Sequence, residues 1–213
     1  MPEKIKHYTP REDRLNALTH LAGVLFGVIG AIPLWQLAVN KDENFFTAGV
    51  IFYWIAFLAM FGASSFYHLC KDPWWKVLAR KFDHSAIYLL ITGTYAPLIT
   101  GAVKTSAGYT VLITLCVLTF IGIFGKIIFA NKFHYLEVVI YLAMGWACVF
   151  IAPDLISTMT RNGLLLLLYG GIAYTGGVVF YVIHKEFFHA LWHLFVLAGA
   201  IFQFFAILSI GKI

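Results

Sequence analysis

The sequence predicts an all-α integral membrane protein. It reads as a single seven-transmembrane helix bundle over residues 1–213, with a short cytoplasmic N-terminal segment at 1–15 and the C-terminus outside. Three observations carry this. The chain is 61% hydrophobic and only 12% charged, whereas soluble domains carry roughly 25% charged residues. Seven apolar runs have the length of about 20 residues that a bilayer demands. Lysine and arginine are distributed unevenly between the links that join those runs.

The runs fall at about 17–39, 45–69, 82–101, 108–130, 135–153, 163–183 and 188–210. Ahead of the first, Thr9-Pro10-Arg11-Glu12 fits a capping box with Thr9 as N-cap, Pro10 at N1 and Glu12 at N3. Gly23 and Gly27 form a GxxxG that permits close helix approach. Pro97 is expected to kink the third span. The links are short, NKDEN at 40–44 and ANKF at 130–133 among them, so neighbouring spans run antiparallel. No cleavable signal peptide and no attached soluble domain are expected.

Cationic residues orient the bundle. The N-terminal side collects Lys4, Lys6, Arg11, Arg14, the 70–81 loop (Lys71, Lys76, Arg80, Lys81), Lys126, Lys132 and Lys185, eleven in all; the other side has four, Lys41, Lys104, Arg161 and Lys212. The richer side is expected in the cytoplasm. The net charge of +5 suits anionic headgroups, and nothing supports nucleic-acid binding. Trp74 and Trp75 beside Lys71 and Lys76 read as an interfacial anchor. Lys126 is expected to snorkel to the inner headgroups. Cys70, Cys116 and Cys148 imply no disulfide framework; Cys116 and Cys148 read as packing residues and Cys70 as a plain thiol.

Polar residues inside a membrane are costly and mark function. Here they converge at one depth. Ser64 and His68 end the second span, Asp83 and His84 begin the third, His189 and His193 begin the seventh, and Asn16 and His20 begin the first. Three neutral imidazoles and a water form a recurring zinc shell. His189 and His193, four apart on one helix, supply two ligands, and His68 is the best third. Asp83 is then placed to hold or deprotonate a zinc-bound water of lowered pKa, with Ser64 orienting it. His84 reads as a supporting or packing residue. Asn16 and His20 read as helix-to-helix hydrogen-bonding groups, and His134 and His184 as solvated histidines of short links.

Ser64-x3-His68, Asp83 and His189-x3-His193 together resemble the progestin and adipoQ receptor group, part of a superfamily with the alkaline ceramidases. GTYAPL at 93–98, FDHSAIYLL at 82–90, HALWHLFVLAGA at 189–200 and the Glu12, Asn16, Thr19-His20 pattern are similar to its bacterial hemolysin III branch. The resemblance implies Zn2+ held by His68, His189 and His193 near the cytoplasmic face, with Asp83 on the water. It implies residence in the bacterial inner membrane and a part in membrane lipid homeostasis or cytolysis. The ceramidases hydrolyse a lipid amide with this constellation. Three functions remain open: a zinc-dependent hydrolase of a lipid amide or ester with an acyl chain, a pore, and a non-catalytic zinc-stabilised lipid sensor. The bare middles of the spans disfavour the pore.

Overall fold

The computed structural model describes residues 8–129, 134–183 and 185–212, with the side chains of His134 and Lys212 left aside. Lys4, Lys6, Lys132, the 130–133 link and His184 lie outside the described residues. Among the described residues, seven spans are long and apolar enough to cross a bilayer. The helices are α1 (Pro10–Lys41), α2 (Asn44–Leu69), α3 (Pro73–Leu98), α4 (Ser106–Phe129), α5 (His134–Gly145), α6 (Ala152–Thr158), α7 (Arg161–Val182) and α8 (Phe188–Leu208). α5 and α6 together make the fifth span. Among the described residues there is no strand.

The start of α1 follows from its cap. Thr9 Oγ1 accepts from the Glu12 amide at 3.2 Å, and the Thr9 amide donates to Glu12 Oε2 at 2.9 Å. The helix begins at Pro10, so residues 10–15 of the expected terminal segment are already helical. A similar device shortens the expected 70–81 loop. The Asp72 carboxylate accepts from the Trp75 amide at 2.9 Å and Pro73 occupies the first turn, so α3 starts nine residues before its apolar stretch. Lys76, Arg80 and Lys81 therefore ride on a helix rather than a loop. Trp74 and Trp75 are exposed there, edge to face.

Packing is set by where backbones approach. A side chain at Gly23 would collide with the Phe61 ring, and a Cβ at Gly27 would lie 2.9 Å from Phe57. The GxxxG thus seats α1 on α2. α3 forms the centre, touching α2, α4, α5 and α8; 72% of its apolar window is buried, against 17% in α4 and α7. Ile29, Phe120 and Phe150 are more than two-thirds exposed on the outside, as suits a surface solvated by lipid chains.

Two spans depart from simple helices. Beyond Pro97, α3 loosens into a π turn over Ile99–Val103, because proline cannot donate to the carbonyl four residues earlier. The fifth span breaks at Trp146–Ile151, a 3-10 stretch. Pro153 disrupts the ladder there, and Tyr95 mends it. Its hydroxyl donates to Gly145 O and accepts from the Cys148 amide, both at 2.7 Å. Irregular backbone at membrane depth is tolerated where protein satisfies its polar groups and it borders a cavity, and this stretch borders one.

Lys126 does not snorkel. It is 1% exposed and its Nζ donates to both Glu137 carboxylate oxygens, at 3.1 and 2.8 Å. His84 Nδ1 stands 3.4 Å from the same carboxylate, so His84 helps tie α3 to α4 and α5. The carboxylate keeps the lysine inside the bundle, which depth alone did not reveal. Glu137→Leu is expected to destabilise the fold by about 3–5 kcal/mol, since it removes the carboxylate that neutralises a buried ammonium. The double variant Glu137→Leu/Lys126→Met should recover most of that loss. Unfolding titrations in mixed micelles check both; equal stability of the single variant and wild type would refute the account. Cys116 is exposed on the outer surface, and no cysteine is in a disulfide among the described residues.

Candidate metal centre

The end of α2 and the start of α8 bring three histidines together. His68 lies one residue before the last of α2, and His189 and His193 occupy the first two turns of α8. Each offers one ligand atom, and these atoms all lie within 4.8 Å of one another. Ring centroids are 5.3 Å apart for His68–His189, 5.2 Å for His68–His193 and 4.6 Å for His189–His193. Nitrogens about 2.0–2.1 Å from one tetrahedral zinc stand roughly 3.4 Å apart, so small side-chain shifts suffice to close the set on a single ion.

Hydrogen bonds choose which nitrogen faces the centre. His68 Nδ1 donates to Asp13 Oδ1 at 2.9 Å, with Asn16 Nδ2 3.5 Å away. His193 Nδ1 donates to the Asn16 carbonyl at 3.0 Å, with Thr19 Oγ1 at 3.2 Å. Protonation at Nδ1 leaves an unprotonated Nε2 on each ring. Those Nε2 atoms are buried and make no hydrogen bond. A buried acceptor lone pair without a partner is rare, and a cation is the partner this donor set fits. The outer hydrogen bonds resemble those that orient metal-ligating histidines elsewhere. Asp13 itself is fixed by Lys76 Nζ at 2.7 Å, so α1, α2 and α3 all bear on His68.

The other predicted site residues, Ser64 and Asp83, are both buried. Ser64 sits one turn before His68, fully buried, with Oγ making no hydrogen bond. Asp83 is buried on the wall of the internal cavity, together with His20. His20 does not act as the hydrogen-bonding group expected of it: neither ring nitrogen has a hydrogen-bond partner. It stacks on His193 at 3.6 Å, nearly parallel, with Phe61 edge-on behind. Asn16 does bridge helices, through its carbonyl, which accepts from His193 Nδ1. Cys70 is a half-exposed thiol near the Asp72 carbonyl.

Two residues escaped the sequence. Asp13 lies beside Glu12, which stands four and eight residues before Asn16 and His20. In the fold Glu12 is used by the cap and by the Phe187 amide at 3.3 Å, while Asp13, Asn16 and His20 face inward. The i, i+3, i+7 pattern of those three was the available signal. Tyr8 covers the histidines from the N-terminal side, its ring centroid 4.9 Å from His189 and 5.5 Å from His68. Burial raises the pKa of its hydroxyl, keeping it neutral. No sequence pattern marked it.

These features define a seven-span helical membrane protein with a buried histidine cluster at one end. Over residues 8–204 the chain matches the family described as Haemolysin-III related, and it belongs to that family. It is 35% identical over 202 residues to the Hemolysin-3 homolog of Bacillus subtilis (strain 168), covering 94% of this chain and 95% of that one. It is 34% identical to Hemolysin-3 of Bacillus cereus, covering 98% and 96%. The human Monocyte to macrophage differentiation factor is 28% identical, covering 92% and 83%. No solved structure matches the chain.

Proposed function

We propose that this protein is a zinc-dependent hydrolase of a membrane lipid amide or ester, resident in the bacterial inner membrane with its N-terminal end in the cytoplasm. It would serve membrane lipid homeostasis. The observation that carries the reading is a cavity of about 300 Å³ that adjoins the histidine end of the bundle. Asp83 and His20 line it at that end, and Ile151, Leu155 and Leu164 line it in the opposite half. Its walls come from α3, the broken fifth span, α7 and α8, and they are mainly apolar. An acyl chain suits such walls better than a hydrated ion does, which favours a lipid substrate over conduction.

Zinc, when bound, supplies Lewis acidity at the carbonyl and makes a coordinated water more acidic. His68, His189 and His193 would hold it. Asp13 and the Asn16 carbonyl hold the first and last of these rings in the tautomer that presents Nε2. The Asp83 carboxylate accepts the proton of the attacking water and returns it to the leaving nitrogen or oxygen. Ser64 Oγ is a spare donor for orienting the water. His20, flat on His193, excludes solvent from the buried side. Overall one water is consumed, and the acyl bond becomes a carboxylic acid and a free amine or alcohol.

The test is release of fatty acid from ceramide and from phospholipid, presented in nanodiscs to protein purified with zinc. Release from at least one lipid, abolished by a chelator and restored by added zinc, is the expected result. Release that ignores the chelator would remove zinc from the reaction, and no release from either lipid would count against hydrolysis.

A further inference from the structure

His84 is held beside the proposed reaction centre by a device that helix packing alone does not require. Lys126 Nζ donates to both Glu137 carboxylate oxygens inside the bundle, at 3.1 and 2.8 Å. A buried ion pair often stabilises a fold no better than well-packed apolar side chains of similar volume, so stability alone does not account for it. The same carboxylate reaches His84 Nδ1 at 3.4 Å. A carboxylate only accepts, so Nδ1 carries the hydrogen of this contact. Lys126 already balances the carboxylate charge. The neutral ring then presents its other nitrogen, Nε2, as an acceptor. Tyr141 steadies the backbone beneath it, donating to the His84 carbonyl at 2.9 Å.

That acceptor is open. His84 lines the cavity together with Asp83, the residue before it. The Nε2 atoms of His68 and His193 are enclosed by protein, whereas 11% of the His84 side chain stays accessible. No neighbour satisfies it. The Tyr141 hydroxyl is spent on the His84 carbonyl, and those of Thr94 and Tyr95 on the carbonyls of Leu90 and Gly145. Tyr174 and Tyr181 on the same cavity, and Arg80 one turn earlier on α3, do not donate to it. An ionised Asp83 only accepts. The donor is therefore left to the occupant of the cavity. We propose that His84 Nε2 accepts a hydrogen bond from a hydroxyl on the leaving group of the lipid, so that the protein selects acyl lipids whose amine or alcohol part is itself hydroxylated. The inference rests on the reading of the cavity as an acyl site with its reacting end at Asp83.

The spacing suits this division. Consecutive Cα atoms are about 3.8 Å apart, and successive side chains on a helix diverge by about 100°. Asp83 and His84 therefore approach one end of the cavity from two directions, the first toward the carbonyl and its water, the second toward the leaving group. A hydroxyl four bonds from the carbonyl carbon stands roughly 5 Å from it when extended, at about 1.5 Å per bond.

The experiment measures binding of three sulfonamides, which are not cleaved, to the zinc-loaded protein in nanodiscs. Each carries an oleyl chain on sulfur; the nitrogen bears a 2-hydroxyethyl, a 2-methoxyethyl or a propyl group. The wild type should bind the hydroxyethyl probe roughly 3- to 10-fold more tightly than the other two, the range expected of one added hydrogen bond. His84→Phe and His84→Leu should still bind the propyl probe and should lose the preference. Equal wild-type affinity for all three probes overturns the role of His84 while leaving the acyl cavity standing. Equal binding of the hydroxyethyl and methoxyethyl probes, both tighter than propyl, shows that the wall donates, and overturns it too. So does a preference that persists in both variants. Failure of the wild type to bind any probe overturns the acyl reading and this inference with it. Should either variant misfold, the other variant and the wild-type comparison of the three probes still decide.

Discussion

His193→Ala is expected to strip the protein of zinc. Wild-type protein prepared without chelators should contain about one zinc per chain, and the variant less than about a tenth of that at equal free metal, since loss of a protein ligand costs more than loss of the outer hydrogen bonds worth 10–100-fold. His193 carries this weight for a structural reason. It is completely buried, its Nδ1 is committed to the Asn16 carbonyl, and its Nε2 has no other partner. Elemental analysis of both proteins reads the result. A thermal melt supplies an independent one. Zinc that binds only the native state raises the melting temperature of the wild type, and a chelator should lower it; in His193→Ala the chelator should change nothing. Equal zinc in the two proteins would dissolve the proposed centre.

Asp83→Asn is expected to keep the zinc and to lower hydrolysis by roughly 10²–10⁴-fold, the usual contribution of a positioned acid–base group. The substitution preserves shape and hydrogen bonding but removes the carboxylate's basicity. Because His68, His189 and His193 do not include Asp83, metal content should match the wild type. That separates a proton-transfer role from a ligand role, which zinc loss in the variant would indicate instead. Turnover equal to the wild type would remove the Asp83 carboxylate from proton transfer.

Much of this protein is readable along the chain. Span number and approximate limits follow from runs of apolar residues, because a bilayer imposes a length. The cap at Thr9 follows from four adjacent residues. The shared depth of His68, His189 and His193 follows from counting residues from span ends. All of these are local properties, or sums of local properties, of the sequence.

Azimuth and partnership are different. Depth said that Lys126 lay near a headgroup layer, and snorkelling was the natural reading; only the approach of α5 put Glu137 within reach and turned the side chain inward. Glu12 and Asp13 both have helical spacing to Asn16 and His20, but the Glu12 carboxylate serves the cap and the turn before α8, leaving Asp13 to orient His68. The break at Trp146–Ile151 is not legible locally because the Tyr95 hydroxyl that satisfies its backbone comes from a helix 50 residues away in the chain. A one-dimensional pattern places residues along a helix, whereas rotation about the axis and the identity of the facing helix are settled by packing. The chain alone therefore specified a seven-span bundle with its histidines gathered at one end. Tertiary packing decided which nitrogens of His68 and His193 face one another across that end, and which polar groups were left for a ligand.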